Sequence, residues 1–265
     1  MELLNQLQTY LRELDRAIVA FSGGVDSALL AFVARKQLGK SQMIAITGDS
    51  AGVPSRDREF VRDFCAEHDI RHQFIQTVEY DNPNYKSNPE NRCFFCKEEL
   101  YKRLKEYAGQ FGYLHILDGT NTTDLKGHRP GFEALKRAEI KAPYVELNID
   151  KQTIREMARV LKLEVAEKPQ AACLASRIPF GVAITPERLK QVEGGEELLK
   201  ELGFKVVRLR WLGESATLEV GREETQAFFR NPEVREKVLD GLKRLGFRAV
   251  DLNLQGYQSG RFNPR

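Results

Sequence analysis

The chain has 265 residues, of which 42% are hydrophobic and 30% charged, and its formal net charge is +3. Such a balance gives a globular chain with core for one large domain or two smaller ones, and it excludes a disordered polyelectrolyte. No apolar run reaches the ~20 residues of a membrane helix, and the amphipathic start MELLNQLQTYLRELDR lacks a signal-peptide pattern. A cytoplasmic protein without a membrane partner is therefore expected. The segment from Thr185 onward is close to charge balance, so no nucleic-acid partner is expected either.

The first two-thirds alternates strands and helices. Arg16–Phe21 is a short apolar run ending at Gly23-Gly24, which predicts a buried parallel strand. A helix is predicted from Asp26 to Leu38, a strand at Met43–Thr47, a helix at Pro54–His68 and a strand at His72–Val78. A third helix, Cys96–Gly109, has i,i+4 pairs Glu98–Lys102 and Glu99–Arg103, and Tyr113–Leu117 is a fourth strand. Thr153-Ile154-Arg155-Glu156 reads as a capping box opening a helix with Ile154, Met157, Ala158 and Leu161 on one face. Beyond the Lys168-Pro169 break, a last strand is expected to bring Cys173 to the carboxyl edge of the sheet. This order predicts an α/β fold with a doubly wound parallel sheet and ligands at its carboxyl edge. After about Gly181 the pattern changes to a helix (Thr185–Leu202), strands at Lys205–Trp211 and Ala216–Val220, helical segments to Leu245 and a strand at Arg248–Leu254. Domains of 1–180 and 181–265 are expected, the second a small α+β unit for acceptor binding or oligomerisation.

The sharpest motif is Ser22-Gly23-Gly24-Val25-Asp26-Ser27, between the first strand and the first helix. Its glycines let the backbone approach an anion, and exposed N–H groups at a helix N-terminus favour phosphate. Ser22 and Ser27 add hydroxyls. Asp26 would repel phosphate, so it orients the loop or holds Mg²⁺. The motif is neither GxxxxGK[ST] nor GxGxxG; it resembles the SGGxDS loop of the PP-loop ATP pyrophosphatases. That resemblance implies attack of a carboxylate or carbonyl oxygen on ATP, with release of pyrophosphate. Thr47 and Ser50 end the second strand where adenine and ribose are expected, and Gly119, Thr120 and Arg129 follow the fourth strand as further nucleotide contacts. Each of these stretches also reads as a plain loop-capping turn.

Four cysteines occur: Cys65, Cys93, Cys96 and Cys173. Cys65 sits in a helical pattern and reads as core. Cys93-Phe94-Phe95-Cys96 precedes the third helix, and with Cys173 it suits an iron–sulfur cluster with one open iron. A redox or sacrificial role for the cysteines, or a zinc site, remains a second reading of the same residues.

These motifs together, with Asp118-Gly119-Thr120-Asn121, His128-Arg129-Pro130-Gly131 and the run Ala172-Cys173-Leu174-Ala175-Ser176-Arg177-Ile178-Pro179-Phe180-Gly181, resemble the LarE family of ATP-dependent sulfur transferases in nickel-pincer nucleotide biosynthesis. The resemblance spans about residues 1 to 260. It implies ATP and Mg²⁺ as cofactors, with adenylation of a carboxylated pyridinium mononucleotide and its conversion to a thiocarboxylate. Asp26, Ser27 and Cys173 are then the catalytic residues, and Ser176, Arg177 and Arg210 face the acceptor. Cys93, Cys96 and Cys173 match the members that hold a [4Fe–4S] cluster, whereas other members sacrifice the cysteine that corresponds to Cys173. A homo-oligomer is expected, with the sulfur donor open. The C-terminal part departs from the family pattern: Leu212 stands where many members have His, Thr217 where they have Arg, and Gln258 replaces an Arg. A tRNA-thiolating enzyme and an amide-forming synthetase are the rival readings.

Overall fold

The computed structural model describes residues 1–125, 130–169, 172–258 and 262. The chain forms two units, the first from residues 1–85 and 91–171, the second from 86–90 and 172–265.

The first unit is built on a parallel sheet of order β3-β2-β1-β4, with β1 at Ala17–Ala20, β2 at Met43–Asp49, β3 at His72–Gln76 and β4 at His115–Asp118. β1 lies inside, pairing Val19 with Ala45 on one side and with Leu117 on the other. All four of its residues are buried, as its unbroken apolar run requires when both faces are covered. The alternation of a strand separates two cores. Ala17, Val19, Met43 and Ala45 pack with α1 (Glu2–Arg12) and α2 (Val25–Leu38) through Leu7, Leu11, Leu29 and Leu30. Ile18, Ile44 and Ile46 turn to the other face. Between those two cores along the chain comes α3 (Ser55–Glu67), which adds Val61 and Phe64 to the first. The second core is completed by Tyr101 and Leu104 of α4 (Arg92–Phe111) and Leu135 of α5 (Pro130–Arg137).

Two local expectations are corrected. Helix α4 starts at Arg92, so Cys93 and Cys96 lie within its first turns and not ahead of it. Helix α6 runs Lys151–Val160, capped by Asp150, whose carboxylate accepts from the Thr153 amide at 2.8 Å. Thr153 is therefore inside the helix: the aspartate three residues earlier takes the capping position. The last strand expected beyond the Lys168-Pro169 break falls in part on residues 170–171, outside the described residues. Glu164–Glu167 forms a short 3₁₀ turn with Val165 and Ala166 buried. The Arg155 guanidinium donates to the carbonyls of Ala166 and Lys168, so side-chain bonds satisfy carbonyls that a strand would pair with backbone.

The second unit has the order β5-β6-β7, with β5 at Val207–Leu212, β6 at Ser215–Val220 and β7 at Ala249–Leu252. β5 and β6 form an antiparallel hairpin, and β7 adds parallel to β6. Helices α7 (Pro186–Glu201) and α8 (Pro232–Arg244) bury Leu189, Val192, Leu199, Val238 and Leu242. Among the described residues no helix is long and apolar enough to cross a membrane.

Candidate functional site

The Ser22–Ser27 loop leaves the carboxyl end of β1 and enters α2 at Val25, with Gly24 at the N-cap. Gly23 has φ +73°, and a Cβ there would lie 2.9 Å from Val61 Cγ2, so both conformation and space call for glycine. Ser27 is buried, and its hydroxyl ties the loop together: it donates to the Gly24 carbonyl at 3.1 Å and accepts from the Ser22 amide at 3.1 Å. Ser22 is exposed, with its Oγ 3.1 Å from that of Ser27. Ser27 thus braces the loop from below, while the first amides of α2 have no partner within the helix and form an anion-binding end.

The turn after β4 seats directly against this loop. A Cβ on Gly119 would come within 3.0 Å of the Ser27 nitrogen, so the close approach depends on glycine. Asp118 organises the turn. Its Oδ1 accepts from the Thr120 amide and hydroxyl at 2.9 and 2.6 Å, and its Oδ2 accepts from Lys97 and Tyr101 at 2.7 and 2.9 Å. Burial works against the Asp118 charge, but Lys97 outweighs it and holds the carboxyl below its ordinary value. Thr120 is thereby locked to Asp118 by both its amide and its hydroxyl.

Asp26 meets Lys151 Nζ at 2.5 Å and accepts from the Asn121 amide at 3.3 Å. The same amide nitrogen of Asn121 donates to Asp124 at 2.8 Å. Burial, opposed by Lys151 and aided by Asp124, raises the Asp26 carboxyl above its ordinary value. A second lysine, Lys168, donates to the Gly23 carbonyl at 3.1 Å and to Asp57 at 3.2 Å, and its Nζ stands 3.5 Å from the Phe60 ring centre.

At the end of β2, Thr47 is buried and its hydroxyl donates to the Phe21 carbonyl at 2.6 Å. Its oxygen lies 2.9 Å from His72 Nε2. Burial, with the charge of Arg62, pushes His72 down to about 4, so at neutral pH the ring is uncharged and Nε2–H donates to Thr47. Ser50 is half-buried and accepts from the Gly52 amide at 3.3 Å, while Arg58 bridges the Asp49 carboxylate at 2.7 Å and the Ser50 carbonyl at 2.6 Å. The loop, Gly119, Thr120 and Ser50 thus gather at the carboxyl end of one sheet, whereas Thr47 fastens β2 to β1 from within. Arg129 lies outside the described residues. Lys151, Lys168 and Asn121 complete the site without having been singled out in the sequence, although Asn121 and Lys168 sit inside or beside its motifs. The donor set suits its cofactors: a glycine cradle with helix amides for the phosphates of ATP, and a half-buried carboxylate for Mg²⁺.

In the second unit, Cys173 is exposed and precedes a 3₁₀ turn at Leu174–Arg177. Arg177 is turned inward and buried. Its Nε and Nη2 grip both oxygens of Glu196 at 2.7 and 2.9 Å, and its Nη1 donates to the carbonyls of Ala172 and Cys173 at 2.7 and 3.1 Å. Nη1 also lies 3.0 Å from Ser176 Oγ. The carboxylate that Arg177 holds is therefore Glu196, and through it the guanidinium clamps the backbone that presents Cys173. Arg210 is buried as well, paired with Glu219 at 2.8 Å and donating to the Ser176 carbonyl at 3.1 Å. Asn88, fully buried, donates from Nδ2 to the carbonyls of Ile178, Pro179 and Val182 and continues the same scaffold. Glu196 and Asn88 carry no local sequence signal, because their partners are remote in the chain.

Cys93 is exposed and Cys96 half-buried on α4 in the first unit. Cys65 is buried, and burial pushes its thiol up to about 12. Among the described residues no three His, Cys, Asp or Glu gather into a group that could hold a metal ion. Of the three cysteines expected to share a site, Cys93 and Cys96 belong to the first unit and Cys173 to the second.

Residues 2–113 match the NAD synthase family model. An uncharacterised protein of Synechocystis sp. is 40% identical over 260 residues, covering 98% of this chain and 96% of that protein. The pyridinium-3,5-bisthiocarboxylic acid mononucleotide synthase of Lactiplantibacillus plantarum is 30% identical over 253 residues, covering 96% and 91%. One component of the glutamine-hydrolysing GMP synthase of Thermoplasma acidophilum is 26% identical over 200 residues, covering 70% and 64%. The similarity to the Lactiplantibacillus synthase runs through both the phosphate loop and the Cys173 turn, and the chain belongs to its family, the LarE family of the PP-loop superfamily.

Proposed function

We propose that the protein is an ATP-dependent sulfur transferase that activates a carboxylate as its acyl-adenylate and converts it to a thiocarboxylate. The observation that carries this reading is the Ser22–Ser27 loop, braced by Ser27 and opening on the N-terminus of α2. A loop of this form holds the β- and γ-phosphates as a leaving unit, so attack falls on the α-phosphorus and pyrophosphate departs. Mg²⁺, when bound, neutralises the phosphate charge; Asp26 is the residue that would hold it. Ser50, Gly119 and Thr120 flank the nucleotide. The acceptor is a small carboxylated nucleotide, by similarity to the substrate implied by the Lactiplantibacillus enzyme's name. Residues 1–180 carry ATP activation, and 181–265 serve acceptor binding or assembly into a homo-oligomer.

Sulfur is delivered at Cys173. Its thiolate attacks the activated carbonyl carbon, AMP leaves, and elimination across the Cα–Cβ bond leaves the sulfur on the product and dehydroalanine in the chain. The alternative source is sulfide on a [4Fe–4S] cluster held by Cys93, Cys96 and Cys173. Anaerobic reconstitution with iron and sulfide separates the two. The Cys173 route leaves the protein without bound iron and marks it by loss of H₂S from Cys173 after turnover. Bound iron and labile sulfide, abolished by replacement of any of the three cysteines, would establish the cluster route.

The decisive assay mixes the protein with ATP, Mg²⁺ and a pyridinium carboxylate mononucleotide. AMP and pyrophosphate are expected, stimulated by that acceptor and not by bulk tRNA. Release of ADP and phosphate would overturn the reading. Salt-sensitive tRNA binding with thionucleoside formation would move it to tRNA thiolation, and consumption of ammonia to an amide-forming synthetase.

A further inference from the structure

Lys151 is the first residue of α6. A cation there opposes the helix macrodipole, which favours negative charge at an N-terminus, so local helix physics does not explain the choice. Its side chain instead crosses to the first turn of α2 and meets Asp26 Oδ2 at 2.5 Å. The approach is fixed from the backbone. The Lys151 amide donates to Thr123 Oγ1 at 3.2 Å, which ties α6 to the turn carrying Gly119 and Asn121, and the Tyr144 hydroxyl donates to the Asp26 carbonyl at 3.0 Å. The pair is not sealed: the side chains of Lys151 and Asp26 retain 30% and 22% of their exposure. Facing Asp26 from the neighbouring turn are Asn121, which bonds it, and Asp124, which shares that amide. Lys151 is thus the cation that meets Asp26 where a second carboxylate, Asp124, stands close by.

We propose that Lys151 stands in on Asp26 for the divalent cation and moves to the phosphates when metal and nucleotide bind. The inference rests on the ATP reading of the loop. In its contact with Asp26 the Lys151 ammonium compensates the carboxylate. With Mg²⁺ and ATP bound, Asp26 would serve the metal, and the Lys151 ammonium would be released to the phosphates held at the N-terminus of α2. The exchange leaves each charge with a counter-ion: Asp26 passes to the dication, and the lysine passes from the carboxylate to the polyanion.

The exchange predicts effects of opposite sign. In Lys151→Gln, Mn²⁺ alone should bind more tightly than to the wild type, because no ammonium competes for Asp26, and MgATP should bind more weakly, because the phosphates lose a cation. Each shift is expected to be roughly tenfold, the scale of one charge contact at a half-exposed site. Lys151→Arg keeps a charge on Asp26 and should bind Mn²⁺ no more tightly than the wild type. Titration calorimetry of the full chain with Mn²⁺, and separately with MgATP, reads both arms without turnover. If Lys151→Gln binds Mn²⁺ no more tightly, or MgATP no more weakly, the exchange is wrong. Should Lys151→Gln fail to fold, tighter Mn²⁺ binding by Lys151→Arg overturns it equally. A wild type that binds no MgATP refutes the ATP reading itself, whereas wild-type binding with unshifted variants refutes only the role of Lys151.

Discussion

The Ser22–Ser27 loop and the Cys173 turn both set charged side chains against a short stretch of backbone, and they use the charges in opposite ways. At the loop, Asp26 and Lys151 form a half-exposed pair, and the first amides of α2 have no side-chain cap from Gly24. At the turn, Arg177 and Glu196 are buried, and the guanidinium is committed to one carboxylate and two carbonyls. Charges left within reach of water can be exchanged for a ligand. Charges sealed in protein can only hold shape, because separating them leaves an uncompensated ion. The first arrangement binds; the second positions.

The comparison breaks most sharply at Glu196. Removing it strands the Arg177 charge, so Glu196→Ala should lower unfolding free energy by about 3–5 kcal/mol, read by denaturant titration. The same variant should change the alkylation rate of Cys173 while it is still folded. An unchanged midpoint would show that the Arg177–Glu196 pair does not brace the turn.

Next in size are the binding-side changes. Asp26→Asn and Ser27→Ala should slow pyrophosphate release by about 10²–10³-fold, the usual cost of losing one preorganised polar group. Asp26→Asn should do so with little loss of stability, since its pair is half-exposed. A large drop in melting temperature for Asp26→Asn would place the two regions in one class after all.

His72 gives a smaller, pH-dependent effect. Its folded value is pushed down to about 4 from an ordinary value of 6.5, so the unfolded chain takes up the proton first as pH falls. The stability it supports is complete above about 6.5 and is lost progressively down to about 4. His72→Gln should flatten that part of a stability-against-pH curve; an unchanged slope would remove the uncharged His72–Thr47 bond from the account. The smallest effect concerns the thiols. At pH 8, iodoacetamide should label Cys173 and Cys93 and spare Cys65, whose buried thiol is pushed up to about 12. Labelling of Cys65 in the folded protein would contradict its place in the core.

Much of the first unit was readable in the chain. β1 and β2 are unbroken apolar runs, and such runs bury on both faces whatever surrounds them. The phosphate loop was readable because its glycines and serines act over six adjacent residues. The start of α6 was misread because Asp150 and Thr153 are both good capping residues, and only the backbone path decides which accepts the amide bond. Arg155 claims the carbonyls of Ala166 and Lys168, a pairing that no local propensity records.

By itself, then, the amino-acid order determined the buried strands of the parallel sheet and the phosphate loop, because each depends on neighbours a few positions away. Tertiary structure alone decided the pairings. Lys151 reaches Asp26 across 125 positions, Arg177 finds Glu196 across 19, and Arg210 takes Glu219 diagonally across the hairpin while its register partner is Thr217. Each of these charges has many possible opposites in the chain, and only the packed backbone selects one by setting which lie within about 3 Å and which are shielded from water.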